Sequence, residues 1–92
     1  MAKLIKTDGT VTTVTPVNGS DFKAEEIHNL IGGHFEMIPL DNNACMLVDD
    51  NGKISGKEYN FDATQVAKER ATDPFSDYVA GDALVCEEGE VH

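Results

Sequence analysis

The sequence predicts a single small α+β domain, in which two short helices pack on one mainly antiparallel sheet in the order ββαββαβ. Its 92 residues suit one domain with one core. Short runs rich in Val, Ile and Thr alternate with clusters of Gly, Asn and Asp, which is typical of strands joined by turns. Two further segments carry apolar residues at helical spacing. We expect one domain over residues 1–92, with its core over residues 3–86 and a flexible acidic tail at residues 87–92.

Residues 3–15 are predicted to form a β-hairpin. Asp8 and Gly9 can supply the positive φ angles that a tight turn needs, and Thr and Val dominate the flanking positions. Val11 and Val14 do not share one face under strict alternation, which a bulge in the hairpin would reconcile.

The first helix is predicted over residues 22–31, where apolar side chains recur at i, i+3 and i+4. Ser20 or Asp21 can cap its N-terminus through a side-chain oxygen. Gly32 and Gly33 should end it, because glycine adopts the left-handed conformation of a helix C-cap without steric cost.

Two strands should follow the glycine pair. Residues 34–40 form the first of them, and Pro39 favours a place near a sheet edge. Residues 44–48 are continuously apolar, which predicts a short buried strand. The segment 49–52 is a strong turn, and residues 53–56 could add one more brief strand.

Asn60 or Asp62 can cap a second helix, whose apolar face is small. This helix should lie over the sheet and end at residues 72–74, where a proline follows. Residues 81–82 make another turn, and residues 83–86 form the last predicted strand.

Charge limits the classes of partner. Seventeen acidic and seven basic side chains give a formal net charge of −10. Such a surface repels phosphate groups unless its cations cluster, and here the lysines are spread along the chain while Arg70 is the only arginine. Nucleic acid and polyphosphate ligands are therefore disfavoured. A basic protein partner is compatible with the charge, although acidity is also the ordinary route to solubility.

Cys45 and Cys86 both lie in apolar stretches, where a thiol behaves as a small buried hydrophobe. They could pair if their strands were neighbours, but two cysteines do not resemble a secreted disulfide framework. With no export signal and no long apolar segment in the sequence, we expect a cytoplasmic protein that does not enter a membrane.

The residues give weak signals for a metal. Several positions of segment 47–58, Asp49 among them, match the spacing of a calcium-binding EF-hand loop, but Leu47 stands at the first ligand position and has no oxygen to offer. A β-turn explains the same residues, and calcium binding stays open. His28 and His34 lack the spacing of a zinc site. We predict no cofactor and no metal.

The order of these motifs is similar to that of a family of short phage and mobile-element proteins known as domain of unknown function 3846. The resemblance extends over residues 9–86, with one departure at Glu58 and Tyr59, where the family often has a Leu-Pro step. The matching positions are Glu25, Glu26, Ile27, Leu30 and Ile31, then Gly32 to Glu36, Asp49 to Lys53, Asn60, Ala63, Thr64, Gly81 and Asp82.

The resemblance implies a genomic setting in bacteriophages, plasmids and conjugative elements, often near antirestriction genes. It implies no catalytic residues. Together with the size and the charge, it favours a non-enzymatic accessory protein of a phage or mobile element that binds a host or element-encoded protein, with anti-defence activity as one form of this function. The weak candidates for the partner or ligand surface are His34, Glu36, Asp49, Asp50, Asn60 and Asp82.

An alternative is a module that binds or sequesters a small ligand or nucleotide, for instance in a pocket between subunits of an oligomer. Arg70, Lys53 and Lys57 would then have to converge on the ligand. An enzyme is a third hypothesis, and it would need Asp, Glu, His and Cys side chains concentrated in one pocket. The sequence leaves the oligomeric state open and is compatible with a homo-oligomer.

Overall fold

The computed structural model describes residues 2–52 and 54–91. A single antiparallel sheet of five strands forms its centre, in the spatial order β2-β1-β5-β4-β3. The predicted α+β class and the order ββαββαβ are thus confirmed. The elements are β1 (Ala2–Ile5), β2 (Val11–Val14), α1 (Ala24–Ile31), β3 (Phe35–Pro39), β4 (Cys45–Asp49), α2 (Phe61–Arg70) and β5 (Ala83–Cys86).

The sheet is the middle layer of three, because the two helices pack on opposite faces. Successive residues of a strand point to opposite faces, so Leu47 and Leu84 contribute to the core beneath α1, while Met46 and Val85 contribute to the core beneath α2. This double burial explains why β4 and β5 are continuously apolar. We call these two clusters the α1 core and the α2 core.

Small side chains form the face that α2 buries against the sheet. Its buried residues are Ala63, Thr64 and Ala67, which project little beyond the helix backbone. The weak apolar face in the sequence is therefore the one that packs. The chain after α2 completes the cover of this face with Phe75 and Val79.

Residues 6–10 join β1 to β2, and Lys6 and Thr10 close a loop of three residues between them. The carbonyl of Lys6 accepts from the N–H of Gly9 at 3.0 Å, and the N–H of Lys6 donates to Thr10 at 2.8 Å. Gly9 has a φ of 90° and Asp8 does not have a positive φ, so one left-handed residue suffices. This is the geometry of a turn followed by a glycine bulge. Within β2 the pairing is regular from Val11 to Val14, so the two valines face opposite sides, with Val14 against the α1 core and Val11 exposed.

The N-terminus of α1 differs from the prediction. The helix begins at Ala24, and the preceding N–H of Lys23 donates to the carboxylate of Glu26 at 3.1 Å. Ser20 and Asp21 do not cap the helix. Their N–H groups donate to the side-chain oxygen of Asn18 at 2.9 and 3.0 Å, because Asn readily folds its side chain back onto the two or three residues that follow it.

A brief strand was predicted at residues 53–56. This prediction is wrong for residues 54–56, which form a turn. Lys53 lies outside the described residues. The N–H of Ser55 donates to the carbonyl of Asn51 at 2.8 Å, so the backbone is satisfied locally. The extended contact forms later, as an isolated bridge between Tyr59 and Ala80.

Candidate functional site

Three of the predicted surface residues meet where β3 begins and β4 ends. Phe35, which follows His34, pairs with Asp49 across the strands, and the N–H of Asp50 donates to the carbonyl of His34 at 3.1 Å. The ring of His34 also lies against that of His28, with centroids 5.5 Å apart. This corner gathers acidic and imidazole groups from three segments.

The carboxylate of Asp49 is committed to Lys57. The Lys57 ammonium pairs with it and also donates to the carbonyl of Ile31 at 3.1 Å. Burial by itself would raise the pKa of the Asp49 carboxyl, but hydrogen bonds from Lys57 and the N–H of Asn51, with the charge of Lys57, outweigh burial and hold that pKa below its ordinary value. The pair fastens the end of α1 to the turn after β4.

Glycines enclose this ion pair closely. A Cβ atom on Gly33 would lie 3.1 Å from the Asp49 carboxylate, and one on Gly32 or Gly81 would lie 3.3 or 2.8 Å from Lys57 side-chain atoms. Gly32, with a φ of 88°, also ends α1 as predicted by donating to His28 at 2.8 Å. The glycines that carry the family resemblance thus have a packing role.

Asn60 lies inside the protein, with 1% of its surface exposed. Its side-chain oxygen accepts from the N–H of Ala63 at 3.0 Å, which confirms it as the N-cap of α2. Its amide group donates to the carbonyls of Ile5 and Gly81 at 2.9 and 3.0 Å. With both donors and the acceptor used inside the fold, Asn60 joins α2 to β1 and β5 and presents no group to a partner.

Asp82 directly precedes β5. Its carboxylate accepts from the N–H of Thr7 at 3.1 Å, which attaches the first hairpin loop to the turn before β5. A shallow cavity of about 180 Å³ lies between Thr7, Ile31, Lys57, Glu58 and Asp82. This cavity is small for an organic ligand, since ligand pockets usually measure about 300–1,000 Å³.

A narrow cavity beside the α2 core carries a concentration of carboxylates. It measures about 90 Å³, and Glu36 and Asp50 are exposed at its rim. We call this feature the acidic groove. Its acidic residues are Glu36, Asp49, Asp50 and Asp77, and its apolar wall is formed by Ile38, Val48, Phe75, Tyr78, Val79 and Ala80.

Three exposed aromatic side chains adjoin the acidic groove, and sequence reasoning did not single them out. Tyr59, Phe61 and Tyr78 are 48%, 60% and 43% exposed. The ring centroid of Tyr59 lies 6.4 Å from that of Phe61 and 5.7 Å from that of Tyr78. We call these three residues the aromatic patch. Tyr78 belongs to both features, so patch and groove form one continuous surface.

In the segment with EF-hand spacing, the first ligand position is apolar and one potential ligand, Asp49, is engaged elsewhere. Leu47 is fully buried in β4, and the Asp49 carboxylate is paired with Lys57. Within residues 2–52 and 54–91, no group of three or more His, Cys, Asp or Glu side chains is placed to hold a metal ion.

Arg70 lies far from Lys57 along the sheet. Its guanidinium bonds Asp41 at 2.7 Å and approaches Glu87 at 3.6 Å, at the end of β4 opposite to Asp49. The hydrogen bond to Asp41 and the neighbouring carboxylates raise the pKa of Arg70 above its ordinary value. Arg70 and Lys57 are therefore each paired with carboxylates and do not converge on one ligand site.

Comparison with known proteins assigns the chain to a family. The family model described as "Domain of unknown function (DUF3846)" matches residues 2–92, so the chain belongs to this family. No curated protein and no solved structure matches it. In the described part of the chain, neither helix has the length and apolar character needed to cross a bilayer.

Proposed function

We propose that this member of the DUF3846 family is a non-enzymatic accessory protein of a phage or mobile element, which acts in the host cytoplasm by binding another protein through the aromatic patch and the acidic groove. One observation carries the proposal, which is the gathering of Tyr59, Phe61 and Tyr78 into an exposed cluster. Tyr and Phe are enriched at protein interfaces, where they supply large contact areas.

The charge of the surface indicates the chemistry of the partner. Glu36 and Asp50 line the acidic groove together with Tyr78 of the patch, they form no ion pair with a described residue, and the whole chain carries a formal charge of −10. An Arg guanidinium can stack on an aromatic face while it bonds a neighbouring carboxylate. We therefore propose a partner segment that presents arginine or lysine beside apolar side chains.

Blocking a host defence protein is one form that this binding could take. The acidic groove would attract a basic face of such a protein and raise its rate of association, as charge complementarity does. The apolar patch would then slow dissociation, because rings that are desolvated at the centre of an interface contribute most of the binding energy.

The alternative of a nucleotide-binding module has less support. Arg70 and Lys57 lie at opposite ends of β4, and each is already paired with carboxylates. Anion binding at either cation would have to displace an acidic side chain. A thermal-shift screen with nucleotides should give no stabilisation, and a reproducible rise in melting temperature would favour the alternative.

The test compares two single variants with matched chemistry. The partner is first isolated from host lysate by cross-linking through a photoreactive residue at position 61, and its Kd for the purified full chain is then measured. Phe61→Ser should weaken binding tenfold or more, since loss of an interface aromatic commonly costs more than about 1.4 kcal/mol. Met37→Ser is the control, because Met37 is 52% exposed and lies on the α1 face.

The proposal fails if Met37→Ser weakens binding as much as Phe61→Ser, or if neither variant does.

A third variant tests the charge. Glu36→Gln should slow association and reduce its dependence on salt, because the remaining surface attracts a basic partner less strongly. Unchanged association at low salt would exclude a basic partner surface at the groove.

A further inference from the structure

Cys45 and Cys86 are directly opposite each other on adjacent strands. They are Cα partners in the antiparallel pairing of β4 with β5, and both carry free thiols. Opposed residues in such a pair have Cα atoms about 4.5 or 5.5 Å apart. Both values fall within the range of about 4.4–6.8 Å that a disulfide requires, so the backbone need not move for the two sulfurs to be joined.

The two thiols differ in their access to solvent. Cys86 is fully buried in the α1 core, whereas Cys45 packs at the edge of that core and is half-buried. The turn after β5 borders the pair, and its Glu90 carbonyl accepts from the N–H of Phe22 at 2.7 Å. A reagent in solution can therefore reach Cys45 but not Cys86.

The contact between the two thiols also shifts their pKa values in opposite directions. The Cys86 S–H donates to the sulfur of Cys45, which lowers the pKa of the Cys45 thiol, while burial and the carboxylates of Glu87 and Glu90 act against this shift. The same hydrogen bond, with burial, raises the pKa of the Cys86 thiol. Because the thiolate is the nucleophile in exchange reactions, Cys45 is the first sulfur to react.

We propose that Cys45 and Cys86 form a redox modification site, at which a small disulfide oxidant such as oxidised glutathione converts the two thiols into a cross-strand disulfide. This site stands independently of the proposed docking function. Buried cysteines often serve only as small hydrophobes. Here their direct opposition across two neighbouring strands distinguishes them from two unrelated core residues.

The reaction proceeds by two exchanges. The Cys45 thiolate attacks one sulfur of the oxidant, forms a mixed disulfide and releases one small thiolate. The mixed disulfide no longer bears the negative charge that raised the pKa of Cys86, so Cys86 loses its proton to solvent more readily. Its thiolate attacks the Cys45 sulfur and releases the second small thiolate. Two electrons pass from the protein to the oxidant, and the two protein thiols lose their protons.

The bridge would close the loop that carries the aromatic patch. The chain between the two cysteines includes α2 and the residues Tyr59, Phe61 and Tyr78, and β5 lies between β1 and β4 in the sheet. Oxidation would therefore fix two central strands to each other and constrain this loop in the unfolded chain.

The experiment incubates the native, full chain in glutathione buffers of graded redox potential and follows it by intact mass and thiol alkylation. The wild type should lose the mass of two hydrogen atoms, form no disulfide between chains and retain no glutathione. Cys86→Ala should retain one glutathione on Cys45, because no second thiol can displace it. Cys45→Ala should stay unmodified while it is folded, because Cys86 is inaccessible.

Several results would overturn the proposal. These are wild-type protein that keeps both thiols in the most oxidising buffer, that accumulates the mixed disulfide, or that forms only bonds between chains. A disulfide that appears only after urea unfolds the protein would also overturn it. The wild-type measurement decides the matter even if either alanine variant does not fold.

Discussion

Lys57 and Asp49 form an ion pair in which the carboxylate side chain is 5% exposed and the lysine side chain is 29% exposed. The lysine also bonds the last carbonyl of α1, at Ile31. A buried pair adds little over an apolar replacement of both partners, but loss of one partner leaves a charge without compensation. The pair is therefore a place where single substitutions should be costly.

Lys57→Met should lower the free energy of unfolding by about 3 kcal/mol, because it leaves the Asp49 carboxylate buried without its cation. Urea unfolding followed by circular dichroism measures the change. Lys23→Met is the control, since the Lys23 side chain is 67% exposed and lies 3.7 Å from the Asp21 carboxylate, and long pairs with an exposed cation contribute about 0–1 kcal/mol. Equal losses in the two variants would contradict a buried role for Lys57.

The contribution of Asp49 should depend on pH. Its pKa is lowered in the folded protein, so its stabilising effect is present above the unfolded pKa of about 3.9 and is lost as the pH falls through the folded value. Asp49→Asn should therefore be destabilising at pH 7, and the difference from wild type should shrink below about pH 4. Urea midpoints at both pH values measure it. A difference that stays constant with pH would exclude ionisation as its cause.

Asn60→Ala should destabilise the domain by about 3 kcal/mol. It removes the cap of α2, worth about 1 kcal/mol, and leaves the carbonyls of Ile5 and Gly81 without their buried donor. Asp62→Ala is the matched variant in the first turn of the same helix, and loss of its exposed carboxylate should cost no more than about 1 kcal/mol. Chemical unfolding of both proteins tests this, and an Asn60→Ala protein as stable as Asp62→Ala would refute the bridging role.

Gly81→Ala should cost more than Gly19→Ala, although both glycines have a left-handed backbone, with φ of 88° and 79°. Both alanines incur the same backbone strain. At position 81 the added methyl also meets the Lys57 side chain at 2.8 Å, whereas nothing lies within 4 Å at position 19. The extra loss should be about 1–3 kcal/mol, as in other overpacked sites. Melting temperatures of the two variants compare them directly, and equal values would show that Lys57 moves aside without cost.

Local signals in the sequence predicted most of the secondary structure. They did not predict the order of the strands in the sheet, which depends on pairing between distant segments. Gly32 and Asn60 act at helix ends as their residue types predict. The predicted cap of the first helix was wrong because Asn18 holds Ser20 and Asp21 in a turn that precedes the helix, which begins only at Ala24. The apolar runs of β4 and β5 were recognised as strands. Their place in the sheet was not predicted, because β5 lies between β1 and β4, which are both distant from it in sequence.

The candidate surface, too, was predicted only in part from the sequence. His34 was predicted from the segment after the glycine pair, and Asp49 and Asp50 from a separate turn, and the three residues do lie at one corner of the sheet. The aromatic patch was missed, because Tyr78 reaches Tyr59 only through the bridge that Tyr59 forms with Ala80. Such a bridge leaves no periodic signal in the sequence. Three aromatic residues among polar neighbours were the only available indication.

Oxidation of Cys45 and Cys86 should stabilise the domain. The disulfide would close a loop of about 40 residues, for which the chain-entropy model gives a gain of up to about 4 kcal/mol. The melting temperature of the wild type should therefore be higher after treatment with oxidised glutathione than in reductant, by several degrees for each kcal/mol that is realised. Cys86→Ala is the control. Its melting temperature should differ less between oxidised glutathione and reductant than that of the wild type does. A wild-type disulfide that lowers the melting temperature would mean that the bond distorts the β4–β5 pairing, and the site would then be a strained thiol pair that favours its reduced form.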